Sequence, residues 1–333
     1  MMAQTPKAVM DFLSDLQARL ECKGLEEIEH LKHLKKLDFQ SRGLGASYNE
    51  MFFIWDDQFY KRLMIDTEYA VDQQKVAEYF PLLPTVERML RVFEKMFGLN
   101  FVEIVGEEKS DDIIWHKDVL LFSVWDDEGE GGAFCGYFYL DLYPRLEKYS
   151  HAAKFSLQPG FLYPDGSRRY PTAALVCNFS KPTTTKPSLL DHAELVKLFH
   201  ELGHGIHDLV GRTTYSSFHG TSVVRDFVEA PSQLLENWCW IPSVLKDLSN
   251  HYESGENISD DLTKKLIQTR NVNAASYYFV QIFLAIFDST IHTPQSHEAV
   301  KSLNIPEEFN MLRTKITGRR GLEDPFVIFH IRV

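Results

Sequence analysis

The sequence predicts a mainly α protein with one small β-sheet set beside a helix that carries a His-Glu-Leu-Gly-His run. Three observations predict it. Apolar residues recur at spacings of three and four through the first hundred residues, the period of a helix. Short apolar runs of strand length gather between residues 101 and 180. Helical patterning then returns from residue 188. The expected organisation is a helical segment at 1–100, a sheet at 101–180, and the motif helix with further helices at 188–318. Together these make one domain over 1–318, followed by a tail at 319–333.

Phe12, Leu13, Leu16 and Leu20, then Leu31, Leu34 and Leu37, mark the first helices. Residues 84–97 (PTVERMLRVFEKMF) form an amphipathic helix stopped by Gly98 and Asn100. Residues 101–105 (FVEIV), 119–125 (VLLFSVW) and 137–142 read as strands. The acidic, glycine-rich turn from Asp126 to Gly132 joins the second and third as a hairpin. Residues 172–179 (TAALVCNF) read as a fourth strand, and KPTTTKP at 181–187 as a loop. Ser188 and Asp191 offer a capping box for a helix running to about Val210 and stopped by Gly211. Further helices are expected at 231–248 and from Ser259 to about Ile291.

The chain has 333 residues, 44% of them hydrophobic, which is ample for a large core. Its net charge of −12 argues against general binding to nucleic acid and against docking on anionic membranes. The four cysteines form no C-x-x-C pair and no disulfide framework, so reduced thiols and a cytoplasmic protein are expected. The N-terminus lacks the pattern of a secretory signal, and no run of apolar residues reaches the length of a spanning helix.

The motif is His200-Glu201-Leu202-Gly203-His204. On a helix, positions i and i+4 share a face, so two imidazoles at that spacing can hold one zinc ion. Glu201 follows the first histidine and can serve as general base to a water held there. Leu195, Leu198, Phe199 and Leu202 make the helix apolar over much of its circumference, which puts the histidines in the interior. His207 lies on the same helix as the pair, and three ligands from one straight helix seldom converge on one ion, so packing is its expected role. The third ligand is expected from Glu229, far enough along for a loop and a return, and set among Phe227, Val228, Ala230, Leu234 and Leu235. Asp226 and Glu236 compete with it. Asp226 is the better candidate for accepting a hydrogen bond from a ligand histidine, and Pro231 puts Glu229 at a helix N-terminus.

The runs FHELGHGIHDLV and SFHGTSVVRDFVEAPSQLLENWCW closely resemble the thimet oligopeptidase, neurolysin and saccharolysin family. So do EYAVDQQKVAEYFP, FYLDLYPR, KYSHAA and ALVCNFSKP, and the resemblance extends over about residues 5–315. It implies a zincin core of neurolysin type, a single Zn2+ on His200, His204 and Glu229, and Glu201 as catalytic base. It also implies short peptides as substrates. By the same analogy a strand before the motif helix pairs with the substrate backbone, and residues Val176, Cys177 and Asn178 of 172–179 are the candidates.

The sequence departs from that family in two ways. Leu146-Glu147 stand where the family has Glu-Gly. The family's downstream glycine- and tyrosine-rich segment, which helps stabilise an oxyanion, is not found, nor is most of its N-terminal lobe. The chain thus reads as a shortened isoform or fragment. The expected activity is that of a zinc metalloendopeptidase acting on oligopeptides. The alternative is a catalytically impaired zinc-binding fragment.

Overall fold

A computed structural model describes residues 2–106, 109 and 112–321. Along the chain run α1 (Pro6–Ser41), α2 (Ile54–Met64), α3 (Gln73–Ala77), α4 (Leu82–Phe97), β1 (Leu99–Glu103), β2 (Leu120–Asp126) and β3 (Phe134–Asp141). Then come β4 (Ala153–Gln158), β5 (Phe161–Leu162), β6 (Arg168–Arg169), β7 (Thr172–Val176) and α5 (His192–Val210). The chain continues through α6 (Arg225–Val228), α7 (Ala230–Glu236), α8 (Pro242–Leu248), α9 (Asp260–Gln268), α10 (Ala274–His292), α11 (His297–Ser302) and α12 (Ile305–Thr317). The protein is mainly helical with a small mixed sheet, as the periodicities predict.

These elements divide into two compact units. One takes the chain up to Val71 and again from Gln268, and the other is Asp72–Ile267. The chain is helical through Phe97 as expected, but α4 belongs with the sheet and the last helices belong with α1. In the first unit α1 packs against α10 through Leu13, Phe279, Ile282 and Phe283, and α12 adds Phe309, Leu312 and Ile316. Gly24 makes the contact possible, because a Cβ there would lie 2.1 Å from the Phe279 ring. α10 is long and apolar enough to cross a membrane by length and composition, which the sequence reading did not suggest. Its buried Phe279, Ile282, Phe283 and Phe287 belong to this core. Past 318, Arg319 is buried and bonds Asp57 at 2.7 Å, and Arg320 exchanges backbone bonds with Phe52 and Ile54. The rest of the tail, residues 322–333, lies outside the described residues.

The second unit holds the sheet, in the order β1-β2-β3-β7-β4. β2 and β3 form the predicted hairpin, and β7 runs parallel to β3 and antiparallel to β4. β7 is therefore an internal strand, where the sequence reading made it the strand lining a cleft. The edge is β4, whose AKFSLQ run was not recognised as a strand at all. α5 covers one face of the sheet, resting on β7, β4 and β3. Residues alternate across the sheet as the pleat requires, so Phe138 and Leu140 of β3 are buried while Tyr137 is exposed.

Two helices predicted as continuous are broken. Residues 231–248 divide into α7, a 3-10 turn at Asn237–Trp240, and α8, which restarts at Pro242. The expected helix from Ser259 divides at Asn273, which takes a left-handed conformation with φ 57°. All four cysteines are unpaired; Cys135, Cys177 and Cys239 are buried and Cys22 is exposed.

Candidate metal centre

α5 begins at Asp191, whose Oδ1 accepts the Glu194 N–H at 2.8 Å while Glu194 Oε2 accepts the Asp191 N–H at 3.0 Å. This reciprocal cap is the predicted box moved by three residues, with Asp191 as the cap itself. Leu195, Leu198, Phe199 and Leu202 are fully buried, as their pattern demands. Phe199 rests on Phe93 of α4 with ring centroids 5.0 Å apart.

Two glycines set how closely other elements approach this helix. A Cβ on Gly205 would lie 2.6 Å from the Phe138 ring, so its absence lets α5 settle on β3. A Cβ on Gly203 would lie 3.0 Å from Ser232 Cα and Leu235, so its absence lets α7 lie close on the other side. α7 is short, and a glutamate flanks it at each end: Glu229 as its N-cap residue and Glu236 as its last. Both reach the same histidine. Glu229 Oε2 lies 3.1 Å from His200 Nε2, and Glu236 Oε1 lies 2.7 Å from His200 Nδ1. Glu229 Oε2 is also 3.1 Å from His204 Nε2.

The structure thus brings His200, His204 and Glu229 together, with one ligand atom from each inside a sphere of mutual distances no greater than 4.8 Å. Metal–ligand bonds of 2.0–2.2 Å put neighbouring ligand atoms of a tetrahedral ion about 3.3 Å apart. The two 3.1 Å separations fit that spacing. The donor set of two imidazoles and a carboxylate suits zinc. The Glu229 side chain is 51% exposed, so the group opens to solvent and leaves room for a fourth ligand. Burial alone would lower His200, but its bond to Glu236 and the nearby charges of Glu201, Glu236 and Glu229 outweigh burial and raise it. His204 is lowered, chiefly by burial.

Glu201 is 9% exposed. Burial pushes its carboxyl above the ordinary range, and the charge of His200 pulls it back only in part.

The other predicted residues take different places. Asp226 lies in the first turn of α6 and is exposed, whereas the acceptor seen on a ligand histidine is Glu236. The sequence reading weighed Glu236 only as a rival ligand; its position at the far end of the helix that starts at Glu229 was the available signal. His207 is half-buried and stands outside the ligand group, its Nδ1 without a partner. Val176, Cys177 and Asn178 are committed to the sheet and its surroundings. Val176 sits between Asp141 and Ala153, the Cys177 N–H donates to Asp141 O at 2.8 Å, and Asn178 Nδ2 donates to Tyr149 O at 2.9 Å. A strand paired on both sides cannot also pair with a peptide. Among the described residues the outer edge of β4 has no strand beside it.

β4 is fixed to α5 by a buried ion pair. Lys154 Nζ lies 2.9 Å from Asp208 Oδ1, with both side chains under 5% exposed. Ser156 Oγ also bonds Asp208, and the Thr221 N–H reaches its Oδ1 at 3.2 Å. Gly220, with φ 54°, lets the loop pass this close, since any Cβ there would collide with the carboxylate.

The profile of Peptidase family M3 matches residues 1–325, past the boundary drawn at 318. The chain is 43% identical to saccharolysin of Saccharomyces cerevisiae over 95% of its own length and 44% of that protein's. It is 38% identical to thimet-like oligopeptidase of Dictyostelium discoideum, covering 88% of the chain and 43% of the relative. It is 35% identical to oligopeptidase A of Escherichia coli, covering 99% of the chain and 46% of the relative. The chain therefore spans less than half the length of each of these relatives.

Proposed function

The chain belongs to peptidase family M3, and on that premise we propose that it is a zinc-dependent metalloendopeptidase of short oligopeptides, built on a zincin core of neurolysin type. The convergence of His200, His204 and Glu229 on one point, with Glu201 next in sequence, carries the reading. The names of the relatives, oligopeptidases among them, support the substrate class. Four unpaired cysteines support a reducing compartment, the cytoplasm.

His200, His204 and Glu229 would hold the zinc, and Glu236 would fix the His200 ring so that Nε2 points at the ion. Bound there, zinc would supply a Lewis acid and lower the pKa of water to about 7. Glu201 takes a proton at its carboxylate from the attacking water and returns it to the departing amine nitrogen. Its burial suits that exchange, because a raised carboxyl pKa brings it nearer to neutral pH. The unpaired outer edge of β4 offers N–H and C=O groups to an extended peptide.

The test is to express the 333-residue chain, measure bound zinc, and follow a quenched short peptide with and without a chelator. Glu201→Gln keeps the three ligands and removes the base, so zinc content should be unchanged while turnover falls by about 10²–10⁴-fold. Zinc without turnover in the parent chain would favour the impaired zinc-binding reading. A well-folded chain that takes up no zinc would end both.

A further inference from the structure

The outer face of α4 carries a concentration of positive charge in an acidic chain. At 3.6 residues per turn, Arg88, Arg91 and Lys95 fall within about 60° of one another. Glu87 and Glu94 lie beyond Arg91, about 40° and 60° further round the helix, and Glu94 is engaged by the Phe101 N–H at 2.9 Å. The three cations line a pocket of about 370 Å³, completed by Val92, Asp247 and Asn257. One carboxylate, Asp247, faces three cations there, although the chain as a whole carries a net charge of −12. Arg91 and Lys95 are exposed and have no ion-pair partner among the described residues. Like charges on adjacent helical turns repel, and an anion in the pocket would relieve that repulsion.

The pocket is also rigid. Arg88 is tied to the chain after α8, donating from Nη1 to Leu248 O at 3.5 Å and to Ser249 O. The loop that presents Asn257 is held by its own bonds: Ile258 N–H to Ser249 Oγ at 2.9 Å, Asn250 Nδ2 to Gly255 O at 2.9 Å, and His251 N–H to Glu256 O at 2.7 Å.

We propose that this pocket binds a small phosphate-type oxyanion, such as inorganic phosphate, pyrophosphate or the phosphoryl end of a phosphorylated metabolite. The planar guanidinium of Arg91 matches two oxygens of such a group, Lys95 adds a point charge, and Asn257 adds an amide donor. Arg88 lines the same pocket. Asp247 opposes the anion by its charge. The pocket is separate from the metal centre, and the inference stands whether or not the chain is a peptidase.

The experiment is calorimetric titration of the full chain with phosphate and with pyrophosphate at a fixed chloride concentration of about 0.15 M. It is run with and without a chelator, because both anions can also bind a metal. Saturable binding of equal affinity in the two conditions is expected. Arg91→Ala with Lys95→Ala should weaken it by about tenfold or more. Both residues are exposed, so the unliganded melting temperature should not fall. Asp247→Asn should tighten binding severalfold, a change that a purely structural role for the pocket would not produce. Binding that does not saturate, that vanishes with the chelator, or that is equal in the double variant overturns the proposal. An Asp247→Asn chain that binds no tighter than the parent also overturns it.

Discussion

Glu236 meets His200 at Nδ1, on the opposite side of the ring from Glu229. A carboxylate there fixes the ring orientation and makes Nε2 more basic, so the zinc affinity of the proposed site would depend on a residue outside the proposed ligand set. Glu236→Gln should loosen zinc by about 10–100-fold in a chelator competition, with the fold intact. Asp141 is a second residue whose charge matters. It is 2% exposed and receives Arg145 through both oxygens, Lys148 at 2.8 Å and the Trp115 indole N–H at 2.9 Å. Burial alone would raise its carboxyl, but these bonds outweigh burial and hold it below its ordinary value. Asp141→Ala would leave Lys148 buried without a counter-charge, and should cost about 3–5 kcal/mol in denaturant unfolding. A carboxyl lowered by folding contributes fully above its unfolded pKa near 4 and loses that contribution as pH falls through the folded value. The parent should therefore lose stability more steeply than the variant below about pH 4.

At the scale of elements, the centre depends on how close α5 lies to β3 and α7. Alanine is the better helix former by about 1 kcal/mol, so propensity alone would favour Gly205→Ala. The Phe138 ring occupies the space of the new methyl, and overpacking a core costs about 1–3 kcal/mol. The clash should win, giving a net loss in thermal or denaturant unfolding; a gain would mean that Phe138 moves aside freely. The same elements explain what the sequence made legible. α4, α5 and the β2–β3 hairpin were readable because each is strongly patterned and ends in a recognisable stop, as with Gly98 at φ 61°. β4 was not readable: an edge strand is half solvated, and its residues that face Asp208, Lys154 and Ser156, are polar. With β4 missed, β7 looked like the margin of the sheet. The break between α7 and α8 was announced by Pro242, whereas the turn at Asn273 carries neither Gly nor Pro and rests on the weaker signal of an asparagine, which tolerates the left-handed conformation. Within the site, the two histidines and Glu229 were legible from spacing and apolar context. The role of Glu236 was not, because it follows from how two helices pack.

At the scale of the whole molecule, the division into two units was hidden because it joins the beginning of the sequence to its end, as α1 with α10 and α12. Composition fared better for the cysteines, whose lack of pairing matches the reading of their spacing. Their surroundings set them far apart chemically. Burial pushes the Cys135 thiol up to about 11 and the Cys177 thiol up to about 12, and it raises Cys239 further in the same direction. The reactive form of a thiol is the thiolate, so these three are protected both by access and by acidity. Cys22, on the exposed side of α1, is the exception. Native chain treated with a maleimide at neutral pH should take up one label, located at Cys22 by peptide mapping, and four labels once unfolded. The chain thus comes with a single natural attachment point in the unit that does not hold the metal centre, where a fluorophore or a surface tether could be fixed without engineering.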